Sequence, residues 1–315
     1  MFYHVKELEF NARVSGPDPA FATLLLEQFG GGNRELKAGQ QYFVQAFAAK
    51  KPFPDKYDML MDIAAEEFSH LEIVGATITM LLDGLNGELK NAVEQTYLSK
   101  LMQGSPVGED MIHQAIFNPQ FAVLTGGGPR VTDSQGQPWS GSYVNANGDL
   151  TVDLRSNIAA ESRAKIVYEY LMQFTEDPYV QETIMFLMTR EIAHFQQFQA
   201  ALETIEPNFP PGVLQGDPRF SHVYVNLSNS IDGGDSVRGP WNEGKGPWER
   251  GTWQYIEDPF QHVGETEGLV DQEVTGAERT QEEAHEISQE LSKKRSEEVK
   301  KAVPKGEMQW SEYEK

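Results

Sequence analysis

The chain has 315 residues, with 48 acidic residues against 26 basic and a formal net charge of −22. A surface of that sign repels nucleic-acid phosphates and anionic membranes, and no locally basic stretch offsets it, which excludes polyanion binding. Cysteine is absent, so disulfides, thiolate metal sites and a cysteine nucleophile are excluded, and any metal must sit on His, Asp and Glu. The first residues, MFYHVKELEF, lack the basic start and apolar run of a secretory signal. No stretch approaches the roughly 18 to 20 apolar residues of a membrane span. The expectation is a soluble cytoplasmic protein with neither a nucleic-acid nor a membrane partner.

Four long segments repeat apolar residues at helical spacing, in two pairs. The first pair covers about 19–50 and about 54–85, separated by KKPFP, where Pro52 and Pro54 can open a helix but not continue one. Residues from about 86 to 151 read as a long crossover dense in Gly, Asn, Asp and Pro, with one or two short helices near Met111 and a hairpin at NANGD. The second pair covers about 152–175 and about 178–205, with Asp177 as a cap before a first-turn Pro178. Short turns make each pair antiparallel, and one long crossover between two such hairpins is the topology of a ferritin-like four-helix bundle. The predicted fold class is therefore an all-α bundle over residues 1–205. A Pro/Gly-rich arm with Trp241, Trp248, Trp253 and Tyr255 follows over 206–261, packing on the bundle or on a neighbouring subunit. Residues 262–315 form an acidic tail, partly helical between Ala277 and Ala302.

Two copies of Glu-x-x-His carry the chemistry: Glu67 with His70, and Glu191 with His194. Positions i and i+3 share a helix face, so each copy points a carboxylate and an imidazole the same way. One copy alone is a common surface pattern. Height along the bundle separates this case from chance. Glu35 lies 17 residues before Pro52, and Glu67 and His70 lie 15 and 18 residues after it; at about 1.5 Å per residue they reach one level, about 25 Å from the turn. Glu161 lies 16 residues before Asp177, with Glu191 and His194 14 and 17 residues after it, so the second hairpin repeats the first. Four carboxylates and two imidazoles then surround one point of the core. Burying such charges unpaired is costly, and two divalent metals bridged by carboxylates resolve the cost. Tyr42 and Tyr168 each fall seven residues after a glutamate of this set, as donors to the ligating carboxylates or as plain core aromatics. Glu66 points to another face, solvated or in an ion pair.

With these motifs in place, the sequence resembles the manganese catalase family over roughly residues 1–235, most specifically in LLLEQFGGGNRELKAGQQYF, DMLMDIAAEEFSHLEIVGA, NIAAESRAKIVYEYL and MTREIAHFQQFQAAL. The resemblance implies a cytoplasmic bacterial homohexamer that disproportionates hydrogen peroxide to water and dioxygen without heme. It also implies two manganese ions per subunit on Glu35, Glu67, His70, Glu161 and His194, with Glu67 and Glu161 as bridges. Glu191 matches the remaining carboxylate, either a ligand or an outer proton acceptor, and is the candidate catalytic group together with Tyr42. A calcium ion per subunit is implied on Asp58 and Asp62, with Asn226 and Ser228, or Asn229 or Ser230 in their place. Some family members carry a basic side chain directly before the third-segment glutamate. Ala160 stands there in this chain, with Arg163 and Lys165 close in sequence. The alternatives are a ferritin-like di-iron oxidase or iron-handling protein, since spacing does not choose between iron and manganese, and a structural, spore-coat-type protein that retains the bundle.

Overall fold

The structure, a computed structural model, describes residues 4–83, 126–205, 220, 223–225, 254–256 and 258–266. It divides into two compact units, Met1–Glu206 and Pro207–Lys315.

Helix α1 spans Pro19–Gly30, with the Asp18 carboxylate accepting from the Phe21 amide at 2.9 Å. Helix α2 spans Glu35–Ala49 and α3 spans Pro54–Leu81. The single helix expected over about 19–50 is thus two, broken at Gly31–Arg34, and the glycines explain the break. A side chain at Gly30 would stand 2.6 Å from the Thr132 backbone, and one at Gly31 would stand 2.2 Å from the Glu27 carbonyl. The chain before α2 is therefore stripped to backbone where the crossover packs against it.

Helix α4 spans Leu150–Leu171 and runs into a 3₁₀ turn at Met172–Phe174; α5 spans Pro178–Glu203. Asp149 caps α4 by accepting from the Thr151 and Val152 amides, and Asp177 caps α5 by accepting from Tyr179 and Val180. The hairpin expected at NANGD is not formed. Gly148 turns with φ 77°, and the Asn147 and Gly148 amides donate to the Asp153 carboxylate at 2.8 and 3.2 Å. The segment is thereby consumed as the approach to a helix, and the extended pairing in this region is instead a bridge between Thr132 and Pro138.

Helices α2 and α3 pack as one hairpin and α4 and α5 as the other. Their apolar side chains form two clusters. One contains Ile73 and Ile78 of α3, Tyr168 and Leu171 of α4, and Ile184 and Leu187 of α5. The other contains Tyr42 and Ala46 of α2, Leu60 and Ile63 of α3, Leu154 of α4, and Phe198 of α5. On α3, α4 and α5 the residues between these clusters are Glu67 and His70, Glu161, and Glu191 and His194. The acidic layer is thus enclosed by apolar packing on both sides, which removes water as a competing partner.

In the second unit β1 (Val223–Val225) pairs in parallel with β2 (Gln254–Ile256), and α6 spans Pro259–Thr266. Asn226, Ser228, Trp241, Trp248, Trp253, the segment near Met111 and the helix expected between Ala277 and Ala302 lie outside the described residues.

Candidate metal centre

Glu35, Glu67, His70, Glu161, Glu191 and His194 each expose 1% or less of their surface. His70 Nδ1 lies 3.6 Å from Glu35 Oε2, 3.6 Å from Glu67 Oε2 and 3.6 Å from Glu191 Oε1. His194 Nδ1 lies 2.8 Å from Glu67 Oε1 and 3.9 Å from Glu161 Oε2. The imidazoles stack with centroids 5.5 Å apart. Among the six, Glu67 is the carboxylate that meets the Nδ1 atoms of both rings, with Glu35 and Glu191 around one and Glu161 beside the other. The six side chains that helix arithmetic sets at one level do meet there.

Two tyrosines cross between the hairpins. The Tyr42 hydroxyl on α2 donates to Glu161 Oε1 on α4, and the Tyr168 hydroxyl on α4 donates to Glu35 Oε1 on α2. Both rings are fully buried. Each hydroxyl occupies one oxygen of a carboxylate and leaves the other, Glu161 Oε2 or Glu35 Oε2, with no hydrogen-bond partner.

The far side of the rings is acidic as well. Glu66 does form an ion pair, with Arg190 Nε at 2.5 Å, but its carboxylate also lies 3.5 Å from His70 Nε2 and 3.2 Å from His194 Nε2. Glu9 stands 4.0 Å from His70 Nε2. Its segment is held by Phe10 stacked on Phe186 and by Ser15, which donates to Asp177. The four-residue spacing from Glu66 to His70 was a signal for the first of these contacts; nothing in the sequence pointed to Glu9. Of the basic residues near Glu161 in sequence, Lys165 pairs with Glu169, and Arg163 Nε donates to Asn33 Oδ1 at 3.2 Å. Asp58 and Asp62 are exposed one turn apart on α3.

Electrostatics follow from burial. Burial pushes Glu35 up to about 7 and Glu161 up to about 8. Burial and the Glu35, Glu67 and Glu161 carboxylates hold Glu191 well above the ordinary range. Against the opposing effect of burial, Glu67 and Glu66 push His194 up to about 10. Glu67 moves the other way: its contacts with the two imidazoles outweigh burial and hold it below the usual carboxylate range.

A divalent ion with bonds of about 2.1 Å sets adjacent ligand atoms roughly 3.0 to 3.4 Å apart in octahedral or tetrahedral geometry. The separations around His70 Nδ1 are close to that spacing. Both oxygens of Glu67, Glu35 Oε2, Glu161 Oε2, Glu191 Oε1 and the Nδ1 atoms of both histidines are buried without a hydrogen-bond partner. Native interiors leave few such groups, and seven lone-pair atoms converging in one layer fit cations. The family described as manganese containing catalase matches residues 1–301. The chain belongs to the manganese catalase family. It is 40% identical over 230 residues to the probable manganese catalase of Clostridium acetobutylicum, covering 72% of this chain and 91% of that protein. It is 31% identical to protein CotJC of Bacillus subtilis, covering 65% of this chain and 95% of that one. The crystal structure of wild-type KatB, a manganese catalase from Anabaena, superposes with a TM-score of 0.63 at 36% identity, covering 82% of this chain and all of that one. The all-α, ferritin-like fold and the catalase activity of this chain follow from that membership.

In this catalase a cavity of about 230 Å³ lies between α4 and α5. Glu161 and Glu191 form part of its wall, with Lys165, Ile166, Ile192 and Phe195 around them. The cavity comes up against these two glutamates, which themselves expose only about 1% of their surface.

Replacing Tyr42 by Phe removes the hydroxyl that fixes Glu161. Loss of such an outer partner lowers metal affinity or activity about 10- to 100-fold. Competition with a chelator is expected to show the manganese of Tyr42→Phe leaving more readily than that of wild type, and unchanged retention together with unchanged oxygen release would contradict it.

Proposed function

We propose that the chain disproportionates hydrogen peroxide at a carboxylate-bridged dinuclear manganese centre held by Glu35, Glu67, His70, Glu161 and His194. The observation that carries this reading is the layer of orphaned carboxylate oxygens and imidazole nitrogens, buried between two apolar clusters. Bound there, two manganese ions would supply a two-electron couple between Mn(II)2 and Mn(III)2, matching the two electrons exchanged with each peroxide. The chain's own residues do the rest. Ile166, Ile192 and Phe195 present an apolar approach that a neutral peroxide crosses readily. Glu191 borders both this cavity and His70, and takes the protons released when peroxide is oxidised and returns them when peroxide is reduced. Tyr42 and Tyr168 fix Glu161 and Glu35, so that one oxygen of each remains free for metal. Glu66, anchored by Arg190, faces both Nε2 atoms and orients the rings with Nδ1 inward.

Calcium on Asp58 and Asp62, with Asn226 and Ser228, rests on the family resemblance alone. Self-association as a homohexamer is supported by exposed apolar side chains on the α4/α5 side, among them Tyr170, Phe174 and Met185. Among the described residues no helix is long and apolar enough to cross a membrane. A cytoplasmic location, with spore association beside it, belongs to the same reading. Metal analysis combined with oxygen evolution from peroxide tests the function: about two manganese per chain and rapid gas release are expected. Iron alone with no gas would overturn it.

Metal removal should also reverse the pH dependence of stability. A carboxyl raised in the folded state stabilises the fold while protonated. This contribution is full below the unfolded value of about 4.3 and is lost as pH rises through the folded value. Glu35 at about 7 and Glu161 at about 8 place that loss between about pH 5 and 8. The histidines act in the same direction, with His194 losing its contribution progressively from about 6.5 up to about 10. Glu67, lowered, has the opposite sign, and its contribution changes only in the acid range. Manganese requires deprotonated ligands and binds better as pH rises. Thermal unfolding of chelated protein is expected to show a lower Tm at pH 8 than at pH 6, and the manganese-loaded protein the reverse. Parallel trends in the two forms would refute it.

A further inference from the structure

Lys37 sits on α2, two residues beyond Glu35, and has no solvent exposure. Its Nζ has no hydrogen-bond partner. The contrast with its neighbours along the same helix face is specific. One turn on, Gln41 donates to Asn157 Oδ1 at 2.7 Å and accepts from the Asn145 amide at 2.9 Å. One turn further, Gln45 donates to the Asn145 carbonyl at 2.8 Å and accepts from Asn157 Nδ2 at 2.7 Å. Both glutamines are fully buried and satisfied within the protein. Lys37 is the member of this row closest to the carboxylate layer, and it alone is left with donors unspent.

A buried ammonium without a partner is among the costlier features a fold can carry, and replacing it by an apolar chain of the same length is usually neutral or stabilising. The fold does not explain it. The charges that act on Lys37 are Glu161 and Glu67, which attract it, and Arg163, which repels it. Arg163 is exposed and engaged with Asn33. The free oxygens of Glu161 and Glu67 are those assigned above to metal. The acceptor for Lys37 must then be a third party, small enough for a site closed to solvent and carrying negative charge or lone pairs. We infer that Lys37 is the hydrogen-bond donor that the centre offers to its small anionic ligand, whether peroxide as hydroperoxide or an anion that competes with it. This rests on the catalase reading, and it adds a binding residue on α2.

The test uses manganese-loaded full-length protein as wild type, Lys37→Met and Lys37→Arg. Each is titrated with azide by optical spectroscopy and assayed for metal content, kcat and KM. Loss of a hydrogen bond to a charged group corresponds to about a 10- to 100-fold change. Lys37→Met is expected to keep its manganese and its Tm, to bind azide at least about tenfold more weakly, and to raise KM for peroxide more than it lowers kcat. Lys37→Arg, which retains a donor, is expected to recover part of the azide affinity. If Lys37→Met fails to fold, Lys37→Gln is read in the same titration. Unchanged azide affinity and KM with full manganese would overturn the inference. So would loss of manganese, since Lys37 would then serve the ligands and not the anion. Wild type without manganese or gas release would sink the catalase reading itself, and the donor role with it.

Discussion

Glu67→Gln is expected to strip the centre of manganese while leaving the bundle folded. Glu67 is completely buried, and its two oxygens divide between the imidazoles, Oε1 at 2.8 Å from His194 Nδ1 and Oε2 at 3.6 Å from His70 Nδ1. No other carboxylate of the set approaches both rings this way, so Glu67 is the group through which two ions would share a ligand. An amide keeps the shape but loses the charge, and it turns two N–H donors toward atoms that must accept or ligate. Disturbing an outer partner of a metal ligand already costs about 10- to 100-fold, so losing the shared ligand is expected to lower oxygen release by more than about 100-fold. Manganese content should fall below half that of wild type. The metal-free variant should unfold at a lower temperature than the metal-free parent, because both buried imidazoles lose the carboxylate that pairs with them. Full manganese content with wild-type gas release would show that Glu67 does not bridge.

Much of this geometry was legible in the chain because it rests on helix arithmetic. A rise of 1.5 Å per residue and two proline-marked turns suffice to set Glu35 against Glu67 and Glu161 against Glu191. The crossed tyrosines were half legible. Their spacing from Glu35 and Glu161 marked them, but each hydroxyl serves the glutamate of the other hairpin, and that depends on how the hairpins face one another. For Glu66 the sequence leaves solvation or an ion pair open and gives no contact with His194, because helical spacing relates residues of one helix, whereas Arg190 and His194 come from α5. The break at Gly31–Arg34 was missed for a related reason. GGGN could sit in a weak helix, and the chain instead turns extended at Gly31, beside a Gly30 that the Thr132 backbone approaches from about a hundred residues away too closely for any side chain. Lys37 shows the limit most clearly. Nothing about a lysine in ELKAG announces a buried, unpaired ammonium.

Glu191→Gln is expected to separate chemistry from metal binding. Glu191 is buried, forms part of the wall of the α4/α5 cavity and places Oε1 3.6 Å from His70 Nδ1. It thus borders both the cavity and the centre and, unlike Glu161, accepts no tyrosine hydroxyl. Burial and three neighbouring carboxylates raise its proton affinity well above the ordinary range. Two cations would draw that value back down, toward the working pH where an acid–base group transfers protons most effectively. Loss of a positioned acid–base group costs about 10²- to 10⁴-fold in turnover. Glu191→Gln should therefore retain its manganese and slow by that factor. It should also lose the limb of the pH–rate profile that reports this carboxyl. A basic buffer small enough to enter the cavity should restore part of the rate. If the variant instead loses manganese along with activity, Glu191 is a ligand and the proton acceptor must be sought elsewhere; Glu9 cannot replace it, since it faces the opposite nitrogen of His70. Retention of both metal and turnover would leave the carboxylate without a role in the chemistry, and the proton would then have to pass through Glu161, the other carboxylate on the cavity wall.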